Sequence, residues 1–302
     1  MNDATRPLER QLNGAWAKLT VDALLATAVG ARPGRRSFSD APDIVSWSDL
    51  RSKTTNISDL GALVDRFVRQ ILTLGLKPGD PVLVAMPNCV DGVVALLGLI
   101  GAGYVPCPVS VVAGPAEMVE AAQAVSAKAI VTVNRYVTLA PSESARIAAS
   151  RYYGIRFVCA FGPGAPQGVV SLDDWPEGEL APAPPPLTSS SQTAVITFDR
   201  TPHGLAPHAR THAQVISDAL ALSATSGLTS RGSIITTFAP VSAAGFIATV
   251  AAPLISGTSV ALHGPFDPFV LRAQINSAPE AIVVLPAAVE AEIRAVLGDK
   301  LR

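Results

Sequence analysis

The sequence predicts an α/β fold: layered, mainly parallel sheets flanked by helices and divided between two subdomains. Three observations carry this. Short apolar runs with β character (Pro81–Met86, Ala129–Val133, Ile155–Ala160 and Ala281–Leu285) alternate with stretches of helical periodicity. That alternation is the pattern of strands buried on both faces beneath crossover helices. The 302 residues are enough for a large core in two or more subdomains. Hydrophobic residues make up 49% of the chain but aromatic ones only 5%, which leaves Ala, Val and Leu to do the packing.

Taken in order, residues 1–19 read as an N-terminal arm. Thr20 is placed to cap a helix from Val21 to Val29, whose Leu24, Leu25 and Ala28 form an apolar stripe. Ala31-Arg32-Pro33-Gly34 then turns the chain. Ile44–Trp47 reads as a short strand, Ser48 as the opening of a helix at Asp49-Leu50, and Arg51–Ser58 as a polar insert. The clearest amphipathic helix runs over Asp59–Leu74, with Leu60, Leu63, Val64, Phe67, Val68, Ile71 and Leu72 at helical spacing. Past the turn Gly75–Asp80 come the strand Pro81–Met86, a helix Val90–Ile100 behind Pro87-Asn88, and extended chain over Tyr104–Val109. A helix Pro115–Ser126, the strand Ala129–Val133, a helix Ala140–Tyr153 and the strand Ile155–Ala160 follow.

Composition then shifts to Pro and Ser, and 181–191 reads as a linker between a first α/β subdomain (20–180) and a second (192–302). Beyond it the pattern gives helices at Thr211–Ala224, Ala243–Leu254, Asp267–Ile275 and Ala287–Leu297. Strands fall between them at Gly232–Phe238, Gly257–Leu262 and Ala281–Leu285.

Several function classes are excluded by composition. The formal charge is -1 and the basic residues are scattered, so no nucleic-acid partner is expected. Cys89, Cys107 and Cys159 lie far apart and read as free thiols in a reducing cytoplasm. Met1–Arg10 is too polar for a signal peptide. The charge-free stretches Gly92–Ala116 and Val241–Phe266 are broken by Gly and Pro, and read as buried helix–turn–strand units in place of membrane spans. Gly101-x-Gly103 follows a helix and meets Pro106 where a third glycine would stand, so it ends a helix and binds no dinucleotide. His203, His208 and His212 lack the spacing and companion ligands of a zinc site, and no metal centre is expected.

The decisive stretch is Val195–His212. An apolar run, Ala194–Phe198, feeds a turn rich in Pro, Gly and His, and a helix is expected from Thr211. Strand, loop, helix is a geometry in which backbone N–H groups hold a phosphate. Asp199-Arg200 reads as a local ion pair or turn, with Arg200 a candidate cation for a phosphate.

Six segments resemble, in order, the first part of the adenylate-forming superfamily of acyl- and aryl-CoA synthetases, luciferase and peptide-synthetase adenylation domains. Leu74–Val84 is similar to "LG(V/L)KPGDxVAV", Met86-Pro87-Asn88 to "LPN", and Leu97–Pro106 to "LGxxxAGAVPVP". Thr211-His212 matches the "TH" after the phosphate loop, and Pro253–Gly257 with Phe266-Asp267-Pro268 resembles "PLxxGxxxV…FDP". The resemblance implies the N-terminal fold of an acyl-CoA synthetase, ATP or AMP with Mg, and an acyl or aromatic carboxylate. Carried over by position, the phosphate-loop remnant is Arg200, Thr201, Gly204, Thr211 and His212, and the substrate pocket falls at Ser242, Gly245 and Phe246.

The departures are severe. Against the family's T-S-G-T-T-G-x-P-K-G, Thr201 alone keeps its type. Two glycines fall on Arg200 and His203, the lysine on Ala206 and the last glycine on Pro207, which has no N–H to donate. The family's "YGxTE" segment, ribose aspartate and lysine-bearing C-terminal domain have no counterpart in these residues. No catalytic residue is assigned. The expectation is a truncated, degenerate ligase-like chain, inactive alone and kept for ligand or protein binding. The alternatives are half of a split acyl-CoA ligase completed by a partner chain, or an ATP-independent acyl or aromatic binding module.

Overall fold

A computed structural model describes residues 19–175, 180–182, 184, 189–278, 280–286 and 290–297. The expected N-terminal arm, part of the linker and the start of the last helix lie outside the described residues.

Two five-stranded sheets and a ribbon carry the architecture. The first sheet has the order β4-β3-β5-β6-β7, from β3 (Pro81–Ala85), β4 (Val105–Pro108), β5 (Ala129–Val133), β6 (Phe157–Phe161) and β7 (Val170–Ser171), all parallel. Its β3, β4 and β5 are buried along almost their whole length, as parallel strands covered on both faces must be. The second sheet has the order β12-β10-β11-β1-β2, from β1 (Arg36–Ser39), β2 (Thr54–Asn56), β10 (Ser233–Thr236), β11 (Ser259–Leu262) and β12 (Ile282–Val284). Only β2 runs antiparallel. The ribbon pairs β8 (Thr193–Thr201) with β9 (Gly204–Thr211).

The lobes are therefore not sequential. β1 pairs with β11, Phe38 facing Val260, so residues 36–56 complete the sheet of the second segment, across the expected boundary at 181–191. The composition shift marks a polar connection, and sheet membership is set instead by which apolar edge remains to be paired.

Among the helices are α1 (Val21–Ala31), α2 (Ile44–Trp47), α3 (Ile57–Leu72), α4 (Val90–Gly101), α5 (Pro115–Val125), α6 (Pro141–Arg151) and α7 (His212–Thr225). α3 starts two residues earlier than expected because Asn56 accepts from the Asp59 N–H while Asp59 accepts from the Asn56 N–H, a closed capping box. Its apolar face lies on α4, and Phe67 stacks on Phe161 with ring centroids 5.9 Å apart. α4 is buried at every residue from Val90 to Ile100. Among the described residues no helix is long and apolar enough to cross a membrane.

Two local readings are corrected. Ile44–Trp47 forms a helical turn in place of a strand, held by Ser46 and Ser48 hydroxyls donating to the Asp43 and Ile44 carbonyls. The expected helix Ala243–Leu254 is α8 (Ala243–Phe246), a π-helical turn over Ile247–Ala251, and α9 (Ala252–Ser256). Pro253 lacks the N–H an α-helix would need there, and the wider turn accommodates its ring.

A buried charged knot joins the lobes. Asp40 follows β1 and accepts N–H bonds from Val90 (2.7 Å) and Lys53 (2.8 Å), while Lys53 Nζ pairs with Asp91 at 2.6 Å. Burial raises the Asp40 pKa to about 6.

All three cysteines are free and buried, and burial pushes the Cys159 thiol up to about 12. The native chain is expected to take up no iodoacetamide near neutral pH and three equivalents once denatured, counted by mass. A native-state adduct would contradict this packing.

Candidate functional site

The ribbon replaces the expected strand–loop–helix. Pro202 and His203 form its two-residue turn, and Gly204 follows at φ +109, a conformation that side chains rarely adopt. Thr201 Oγ1 donates to the Gly204 carbonyl (2.8 Å) and accepts from the His203 N–H (3.2 Å), closing the turn on itself. The polar residues at 199–211 hid this hairpin, because an exposed ribbon needs no apolar alternation to pair its backbone.

The tip is docked on α5 by two carboxylates. Glu120 accepts the Leu205 N–H at 2.7 Å, and Glu117 pairs with Arg200 at 2.7 Å. A Cβ on Gly204 would press on the Glu120 carboxylate, which would have to shift, but it is the positive φ that calls for glycine here. Asp199 turns to His208 (3.3 Å) and forms no pair with Arg200.

The expected nucleotide residues do not converge. Arg200, Thr201 and Gly204 sit at the tip, whereas Thr211 and His212 lie at the foot, roughly 24 Å along the strand. Thr211 caps α7 in a capping box with Gln214. His212 is buried and its Nδ1 accepts the Val21 N–H (3.1 Å), fixing α1; burial lowers its pKa, so the ring is neutral. Mg and a triphosphate do not fit this tip. No lysine stands on it, Pro207 offers no N–H, and the Leu205 amide is already spent on a carboxylate.

One concave feature lies away from the tip, at the carboxyl ends of parallel strands of both sheets, where open α/β sheets bind ligands. It is a cleft of about 500 Å³. The first sheet contributes Met86 and Asn88 after β3, Ser110 and Val112 after β4, and Tyr136 after β5; the second contributes Thr237, Ala239 and Val241 after β10 and Phe266 after β11. Tyr136 is held there by a tight turn in which Val137 takes φ 56°, strained for a β-branched residue, with its N–H donating to Trp47 O at 2.6 Å. Trp47 meets the Tyr136 ring edge-on at 5.7 Å. Asn88 bridges the sheets: its Nδ2 donates to the carbonyls of Thr236 (2.9 Å) and His263 (3.2 Å).

The expected pocket residues form the support of this cleft and do not line it. Ser242 caps α8 by accepting the Gly245 N–H (3.1 Å), Gly245 packs against the Ala239 carbonyl, and Phe246 is fully buried. Sequence reading missed Met86, Asn88, Ser110, Tyr136 and Phe266. The available signal was their place just past apolar strands. Among the described residues no group of three or more His, Cys, Asp or Glu is arranged to hold a metal.

Two parallel-sheet lobes, a ribbon beside them and a cleft across their carboxyl edges define the N-terminal architecture of adenylate-forming enzymes. The chain belongs to the AMP-binding enzyme family, which matches residues 27–198, more than half of its length. It is 32% identical over 103 residues to a salicyl-AMP ligase / salicyl-S-ArCP synthetase of Mycobacterium tuberculosis, covering 34% of this chain and 17% of that protein. The apo structure of MbtA from Mycobacterium smegmatis superposes on 100% of the chain with a TM-score of 0.82 at 24% identity, and 54% of that protein is covered. An anthranilate CoA ligase, AuaEII, solved with anthranoyl-AMP, covers 88% of this chain and 49% of its own, with a TM-score of 0.74 at 13% identity. These structural likenesses establish the fold, and the chain spans about half the length of the solved relatives.

Proposed function

We propose that these residues form a ligand-binding core that does not by itself adenylate a carboxylate, and that its ligand is a small molecule with an acyl or aromatic body held in the cleft between the sheets. The contact that carries this reading is Glu120 on the Leu205 amide. An internal carboxylate occupies the donor that a phosphate would use, and Glu117 engages the nearest cation. The Arg200–Glu117 pair is exposed and worth at most about 1 kcal/mol, so the repulsion of two carboxylates and the missing lysine weigh more. Three buried free thiols accord with a cytoplasmic setting.

Purified chain given Mg·ATP and benzoate, salicylate or a fatty acid is expected to release no pyrophosphate above background, and Arg200→Ala is expected to leave ATP binding absent. Pyrophosphate from the isolated chain would overturn the reading.

One observation favours a second reading, in which another polypeptide completes a ligase. β12 is the last strand of its sheet among the described residues, and it is only half-buried, with Ile282 exposed. A second polypeptide co-purifying in fixed ratio would support completion; a monodisperse single chain would count against it.

A further inference from the structure

Among the described residues eight large apolar side chains are exposed, and six of them stand round the mouth of the cleft. Val112 and Phe266 line it. Val137 and Leu139 belong to the turn that holds Tyr136, whose N–H donates to the Leu139 carbonyl (3.1 Å). Val45 adjoins that turn, with Arg135 Nη2 donating to its carbonyl (3.4 Å). Trp47 carries the patch across to the second sheet: its ring meets Tyr136, and it leaves Gly264 no room for a Cβ. Past Gly264 come Phe266 and then Phe269, on the first turn of the helix Pro268–Ser277, which starts at the carboxyl edge of that sheet. The other two lie apart, Tyr153 in the turn before β6 and Ile282 at the start of β12.

Scattered single apolar residues need no partner, but a contiguous ring of them marks a contact surface. Its character points to a second copy of the same chain. The cleft lining holds no Asp, Glu, Lys, Arg or His, so two copies meet there without like-charge repulsion. The face also carries both a knob and a hole. Phe269 is 81% exposed, and the cleft beside it, of about 500 Å³, has room for a phenyl ring. A two-fold contact uses such a pair twice, since each copy offers its knob to the other's hole. The area is adequate as well. At roughly 150–200 Å² per residue the six expose about 600 Å², close to the ~800 Å² per partner of a standard interface before the cleft walls are added.

We infer that this face is a two-fold interface between two copies of the chain, each seating its Phe269 in the cleft of the other. The inference goes beyond the ligand-binding reading and does not rest on it. In the dimer the seated ring takes the place of a small ligand, so each excludes the other from the cleft.

The test is sedimentation velocity of the chain between about 1 and 100 µM, where a monomer–dimer equilibrium with a Kd on the order of 10 µM is expected. Phe269→Asp puts an acidic residue in an exposed first helical turn, which suits the helix, and is expected to weaken the dimer at least about tenfold. Tyr153→Asp changes an equally exposed aromatic outside the patch and is expected to leave the dimer unaltered. Val112→Lys, on the rim of the hole, is expected to weaken it like Phe269→Asp. An equimolar mixture of Phe269→Asp and Val112→Lys chains keeps one native knob and hole and sets Asp against Lys in the other. It is expected to associate at least about tenfold more tightly than either variant alone. A chain that stays monomeric throughout overturns the inference and leaves the ligand-binding core standing; it is also the result expected if a different polypeptide covers the rim. A dimer that survives Phe269→Asp, or is lost equally in Tyr153→Asp, overturns it too. A mixture no tighter than its components overturns the reciprocal seating.

Discussion

Phe67→Ala is expected to destabilise the chain by about 3–5 kcal/mol, measured by urea unfolding with an unchanged m-value. Phe67 is 2% exposed on the inner face of α3. Its ring stacks on Phe161 at the end of β6 and lies so close to α4 that Gly98 has no room for a Cβ. Helix, helix and sheet therefore meet on one side chain. Truncation removes its buried area and leaves a void that a glycine-backed contact cannot refill, because the α4 backbone is fixed by full burial on every side. A loss under about 1 kcal/mol would mean that α3 and α4 are not packed as described.

The second large effect is electrostatic. Burial raises the Asp40 pKa from 3.8 to about 6, against the two backbone N–H bonds and Lys53, which lower it. The folded chain then holds the Asp40 proton over a range where the unfolded chain has lost it. Stability attributable to this residue is thus greatest below about pH 4 and falls as pH rises to about 6, by about 3 kcal/mol in all. Asp91, buried beside it, shifts the same way through burial, so the signal is the difference between wild type and Asp40→Asn. The variant should be flatter between about pH 4 and 6, with unfolding free energy compared at each pH. Parallel profiles for the two proteins would show that Asp40 titrates at its ordinary value.

The elements with a strong period were legible. α3, α4 and the strands β3, β5 and β6 stand within two residues of their expected limits, because a buried parallel strand must be a continuous apolar run and a covering helix must be amphipathic or wholly apolar. β1 and β2 were not, since Arg36–Ser39 and Thr54–Asn56 carry polar residues whose burial depends on partners far along the chain. The Ser37 hydroxyl, for example, is matched by Thr55 at 2.9 Å. The candidate site divided in the same manner. Thr211 and His212 were legible as residues with positions to hold, yet their work is to cap α7 and anchor α1. The cleft was illegible because it is a property of where strands end together, and Asn88 and Tyr136 stand 48 residues apart with no local pattern joining them.

The interleaved second sheet has a consequence for how the chain is made. Phe38 leaves the ribosome long before Val260, its neighbour across the ladder. At about 5–20 residues per second, the wait is on the order of ten seconds or more. During that interval β1 has only β2 to pair with, and the parallel side of its ladder stays open until β11 emerges.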